Sequence, residues 1–160
     1  MNTIQVREAT EADVPVLFKL ILELAEYENL THEVVATETM LLSTLFGDKA
    51  RAHALICERD QQPIGYAIYF YNYSTWLAKP GISLEDLYVS PKARRLGAGQ
   101  AMFKTLANIA EKEDCGRFEW AVLNWNQPAI NFYEEMGAKP QSEWTTYRLT
   151  GAPLKALANS

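Results

Sequence analysis

The sequence predicts an α/β fold, an α+β mixed sheet with helices on its faces, and three observations predict it. Runs of alternating or β-branched residues alternate with amphipathic runs in the order β-α-α-β-β-β-α-β-α-β. The composition, 48% hydrophobic and 22% charged over 160 residues, suits a single globular domain spanning residues 1–160 with a sizeable core. A turn rich in arginine and glycine, Arg94-Arg95-Leu96-Gly97-Ala98-Gly99, joins a strand to a helix in the second half.

Ile4, Val6 and Glu8-Ala9 form a short opening strand, and Thr10-Glu11-Ala12-Asp13 opens a helix that carries Val14, Leu17, Leu20, Ile21 and Leu24 to about Glu28. A second, shorter helix starts at Thr37-Glu38, carries Met40, Leu41, Leu45 and Phe46 as its apolar stripe, and stops at Gly47-Asp48. Residues 54–58 and 64–73, rich in β-branched and aromatic side chains, form a hairpin across the turn 59–63. Residues 83–89 make the next strand. The helix 99–113 follows, with Ala98, Met102, Thr105, Leu106 and Ile109 at helical spacing around it. A strand over 118–123, a helix over 127–136 with Asn126 as N-cap, and a last strand over 144–149 complete the chain.

A net charge of −5 and a pI near 5.1 argue against a nucleic-acid partner, which needs a basic surface to displace counterions. No apolar run approaches the eighteen residues of a membrane span, and the N-terminal residues lack a signal-peptide layout, so a cytoplasmic location is expected. Cys57 and Cys115 have neither metal nor redox spacing and read as reduced packing residues. His32 and His53 are too far apart, and too poorly accompanied, to suggest a metal site.

Lys92, Arg94 and Arg95 crowd the turn before the 99–113 helix, where backbone N–H groups converge at the positive end of the helix dipole. That combination is a phosphate cradle. Downstream, at the distance one further strand requires, stands Asn126-x-x-Ala129-x-x-Phe132-Tyr133-x-x-x-Gly137. Together the two stretches resemble the GNAT N-acetyltransferase superfamily.

The resemblance implies acetyl-CoA as co-substrate. It also implies a central, mostly antiparallel sheet in which strands 83–89 and 118–123 splay so that the cofactor's pantetheine arm enters between them. Leu87, Tyr88 and Val89 would line that arm. Arg94, Leu96, Gly97, Ala98, Gly99 and Gln100 would supply amides to the pyrophosphate, and Asn126 and Phe132 would complete the cofactor site. Arg95 stands where the family often has glycine, which suggests a left-handed backbone or a phosphate contact.

An amine attacks only in its neutral form, so a base is needed, and the departing thiolate needs an acid. The resemblance makes Glu85 the base, acting through water, and Tyr133 the acid. Adjacent strand residues point to opposite faces, so only one of Glu85 and Asp86 is expected to face the site.

Over nearly the whole chain the resemblance narrows to the diamine and thialysine acetyltransferases. It rests on Leu24-Ala25-Glu26-Tyr27-Glu28, Tyr73-Ser74-Thr75-Trp76, Leu84-Glu85-Asp86 and Ala121-Val122-Leu123-x-Trp125-Asn126-Gln127. Ser74, where the polyamine branch tends to carry aspartate, favours the thialysine branch. Tyr27, Glu28, Trp76, Glu85 and Asp86 are the set expected to hold a small cationic acceptor by carboxylates and aromatic faces. Trp144, Tyr147 and the 66–73 strand would line a homodimer, which the resemblance also implies. The competing readings are acetylation of a protein or antibiotic amine, and a non-catalytic acyl-CoA sensor.

Overall fold

Five strands lie side by side in chain order in the computed structural model, which describes residues 3–160. They are β1 (Ile4–Glu8), β2 (His53–Arg59), β3 (Gln62–Ser74), β4 (Lys79–Val89) and β5 (Arg117–Trp120). The first four pair antiparallel and β5 runs parallel to β4. Helices α1 (Val14–Tyr27) and α2 (Glu38–Phe46) connect β1 to β2, and α3 (Ala98–Lys112) crosses from β4 to β5. A parallel pair needs such a crossover, because no hairpin can join strands that run the same way.

Two core layers sandwich this sheet. Leu17 and Leu20 of α1 pack on Ala54, Ile56, Tyr66, Ile68 and Tyr88, while Met102, Phe103 and Leu106 of α3 are buried as well. The β2–β3 turn is tighter than expected: Asp60 and Gln61 take φ of 49° and 66°, the double left-handed geometry that matches strand twist in a two-residue hairpin loop. One ion cluster fastens the start of α1 to the sheet. Arg7 donates to both oxygens of Asp13 at 2.8 and 2.9 Å and to Glu58 Oε1 at 2.8 and 2.9 Å. The Asp13 carboxylate also accepts from the Thr10 N–H at 2.7 Å, which closes the helix start.

The chain divides into two compact units, one ending at Ala121 and the other covering Val122–Ser160. The second holds α4 (Gln127–Glu135) and α5 (Gly151–Ala158). Here the sequence reading needs correcting. Residues 144–149 have strand composition but no regular structure, because a strand exists only through a ladder partner and none is present among the described residues. Trp144 and Tyr147 are 77% and 93% exposed. The unforeseen α5 follows from Leu154, Lys155, Ala156, Leu157 and Ala158, all strong helix formers, with Pro153 confined to the first turn.

Candidate active site

The site is built where β4 changes neighbours. Pairing between β4 and β5 ends at Leu84 and Trp120, and beyond it β4 is laddered only to β3 among the described residues. The strand expected over 118–123 is shorter than that, because β5 ends at Trp120, and the ladder between the two strands expected to splay ends with it. The end of that ladder leaves the backbone of Leu87 and the N–H of Val89 without a β5 partner among the described residues, as binding an extended ligand arm requires. The side chain of Tyr88 turns away into the α1 core.

A β-bulge decides which acid faces which way. Ile68 pairs with Asp86 and Tyr69 with Leu84, so Glu85 is an extra residue with no partner of its own. Strict alternation would put Asp86 on the face of Leu84. The bulge moves it instead to the face of Tyr66 and Tyr88, beneath α1. Glu85 is exposed, whereas Asp86 is half-buried and accepts a hydrogen bond at 3.0 Å from the hydroxyl of the fully buried Tyr66. Burial pushes Asp86 above the usual carboxylate range; the Tyr66 bond pulls it back down and the charge of Glu85 raises it.

Glu28 joins Asp86 from α1. The helix ends in a Schellman motif: Leu30 N–H donates to Ala25 O at 2.8 Å and Asn29 N–H to Glu26 O at 3.1 Å, with Asn29 in the left-handed region at φ 59°. This fixes Glu28 as the capping residue. Its carboxyl is raised first by burial and then by the charge of Asp86. Among the described residues, no lysine, arginine or histidine forms an ion pair with Glu28 or Asp86.

The cradle follows β4. Arg94 donates from Nε to Val89 O at 3.1 Å and holds its guanidinium over Tyr27 and Tyr88, 4.9 and 5.7 Å from the ring centroids. Tyr27, at the end of α1, is thereby tied to the loop that enters α3. Arg95 takes φ 65° and Gly97 φ 83°, so the left-handed position suggested by the family's glycine is occupied by arginine. No side chain caps α3, and the amides of Ala98, Gly99 and Gln100 precede the first helical bond, from Ala101 N–H to Gly97 O at 2.9 Å. A Cβ on Gly99 would meet nothing within 4 Å, so its bareness has no steric cause inside the chain. That open space before unpaired amides fits a phosphate group.

Trp76 and Ser74 stand elsewhere in the first unit. Trp76 is 94% exposed at the tip of the β3–β4 hairpin, and the six residues from Ile68 to Ser74 put that tip about 20 Å along the sheet from Asp86. Ser74 lies buried at the same end, where its hydroxyl accepts from Leu77 N–H at 3.3 Å and closes the turn. In the second unit, Asn126 caps α4 by accepting from Ala129 N–H at 3.4 Å, and Phe132 and Tyr133 are half-buried neighbours with ring centroids 6.0 Å apart. Gly137, at φ 94°, ends that helix.

Two features escaped the sequence reading: the bulge at Glu85, and Tyr66 as the partner of Asp86. A bulge belongs to the register of two strands, and no single strand displays it. Along the outer side of α1, Phe18, Glu23, Glu26 and Glu38 also line an open groove of about 580 Å³. The hydroxyl of Ser90, just after β4, donates to Glu23 at 2.7 Å.

Residues 19–138 match the acetyltransferase (GNAT) family. The thialysine N-epsilon-acetyltransferase of Mus musculus is 36% identical over 99% of each chain. The L-ornithine N5-acetyltransferase of Arabidopsis thaliana is 33% identical over 96% of this chain and 87% of its own. A solved integron cassette protein from the mobile metagenome of V. cholerae shares the fold with a TM-score of 0.82, at 26% identity over 98% of each chain. The chain belongs to the acetyltransferase (GNAT) family.

Proposed function

We propose that this enzyme moves the acetyl group of acetyl-CoA to a primary amine of a small cationic metabolite, a thialysine- or lysine-like amino acid or a di- or polyamine, by direct attack. The observation that carries this reading is the pair Glu28 and Asp86. Two part-buried carboxylates without a cation of their own suit an ammonium group that arrives from outside. Relatives of similar length named for thialysine and ornithine acetylation, both amino acids with a side-chain amine, support the acceptor class.

The cradle amides of Leu96, Gly97, Ala98, Gly99 and Gln100, with Arg94 and Arg95, would hold the pyrophosphate, and the β4 backbone at Leu87 and Val89 would hold the pantetheine arm. Bound there, acetyl-CoA supplies the activated acyl group. Glu28 and Asp86 hold the amine, with the Tyr27 ring beside them. Glu85, exposed in the bulge, accepts the amine's proton through water, and Tyr133 donates one to the leaving thiolate. Asn126 and Phe132 complete the cofactor side. Tyr133→Phe is expected to lower kcat about a hundredfold while acetyl-CoA still binds, and an unchanged kcat would remove the acid role.

Exposed Trp76, Trp144 and Tyr147 are apolar surface that a second copy would cover, which supports a homodimer, tested by sedimentation. Two free thiols, and no helix among the described residues long and apolar enough to cross a membrane, support the cytoplasmic assignment. The deciding assay follows thiol release from acetyl-CoA with thialysine, lysine, ornithine, putrescine, spermidine and a lysine peptide in separate reactions. Turnover of a small diamine or amino acid is expected; turnover of the peptide alone would overturn the acceptor assignment.

A further inference from the structure

We propose that Tyr66 is a positioning residue for the acetyl acceptor: by donating its hydroxyl to Oδ2 of Asp86, it fixes that carboxylate beside Glu28 and leaves Oδ1 to receive the acceptor's ammonium. The inference rests on the acceptor site proposed above and adds a residue that the amine itself would not touch.

Three observations carry it. Tyr66 is fully buried, sits across the ladder from Tyr88, and belongs to the layer under Leu17 and Leu20, so its ring cannot swing away. Its hydroxyl lies 3.0 Å from Asp86 Oδ2. The bulge at Glu85 is what brings Asp86 to this face, so the bond depends on an irregularity that costs β4 a ladder position. A tyrosine in this layer could be phenylalanine if packing were its only task. The buried hydroxyl donates to a carboxylate that forms no ion pair among the described residues.

The electrostatic consequence follows from the charges around Asp86. Tyr66 faces it from β3, Glu28 from the end of α1, and Glu85 precedes it on β4. The nearby cation, Arg94, lies over the rings of Tyr27 and Tyr88. Tyr66 therefore favours the ionised form of Asp86 against burial and against a neighbouring carboxylate. Two close carboxylates bind a proton between them more readily than either would alone, and a proton there competes with the ammonium. Tyr66 reduces that competition at Asp86.

The test is a double-mutant cycle of Tyr66→Phe and Asp86→Asn, with kcat and KM for the best amine measured from pH 5 to 9 and the KM for acetyl-CoA alongside. Tyr66→Phe is expected to raise the acceptor KM about tenfold. It should move the acid limb of kcat/KM to higher pH, because Asp86 loses the bond that lowers its pKa, and it should leave the acetyl-CoA KM within twofold of the parent. In the Asp86→Asn background the same change is expected to cost little, since the group it acts through is gone. Additive effects, an unmoved pH limb, or equal rises in both KM values would overturn the inference. If the unmodified protein acetylated none of the amines, the acceptor reading itself would fall, and that result is distinct because it precedes any variant.

Discussion

Two clusters of carboxylates on one sheet have opposite chemistry. At the β1–β2 edge, Arg7 reaches both Asp13 and Glu58, and the guanidinium beside it holds Asp13 at about 2. Across the sheet, Asp86 has a phenol and Glu28 has no ion-pair partner among the described residues, and burial raises both. In the first cluster each carboxylate is bonded to the guanidinium, and the cluster fastens the helix start. The second carries negative charge that its own chain does not neutralise, and unneutralised buried charge is a cost folding alone would not maintain. On the proposed reading, what separates a fastening from a binding group is the partner, not the residue type.

Exchanging the acids for amides one at a time would break this contrast. Asp86→Asn carries the largest expected effect, about a hundredfold lower kcat/KM for the amine. The thermal midpoint should hold or rise, because an uncompensated charge leaves the interior. Steady-state kinetics beside a thermal melt reads both, and a destabilised, fully active variant would make Asp86 a fastening too. Asp13→Asn should do the reverse: about 2 kcal/mol less stability in urea titration, with the kinetics untouched.

The pH dependence of stability sharpens the same point, since the two aspartates contribute with opposite sign. Asp13 is depressed when folded, so its contribution is present above the ordinary value of 3.8 and is lost as pH falls through about 2. Asp86 is raised when folded, so the folded state loses stability as pH rises from 3.8 through its elevated value. Urea titrations of the two amide variants from pH 2 to 7 should show these trends removed in turn.

Smaller effects belong to Glu28 and Arg95. Glu28→Gln should raise the acceptor KM about tenfold and leave the acetyl-CoA KM alone, and equal rises in both would place Glu28 outside the acceptor site. Arg95→Gly relieves a left-handed backbone and should add about 1 kcal/mol to stability. Measured with it, the acetyl-CoA KM shows whether that side chain also serves a phosphate.

Much of this was legible in the sequence because it rests on local rules. The caps at Thr37 and Asn126, the helical stripes of α1 and α3, and the glycine turn before α3 each lie within a few consecutive residues. Even the backbone of Arg95 could be anticipated. What could not be read depends on pairs of distant segments. The bulge that turns Asp86 under α1 needs β3 and β4 together, and Tyr66 reaches Asp86 across twenty positions. Residues 144–149 failed for the same reason: their alternation was real and their ladder was not there.

The Schellman end of α1 has a consequence for how such a protein diversifies. Glu28 is held in place by backbone bonds that close at Leu30, and from Thr31 onward the chain runs through one 3₁₀ turn to α2. The stretch between Leu30 and the Thr37 cap of α2 can thus change while the carboxylate stays put. Under the proposed reading, the charge that would meet the acceptor is anchored in the helix end, and the connection that follows can vary in sequence without moving it.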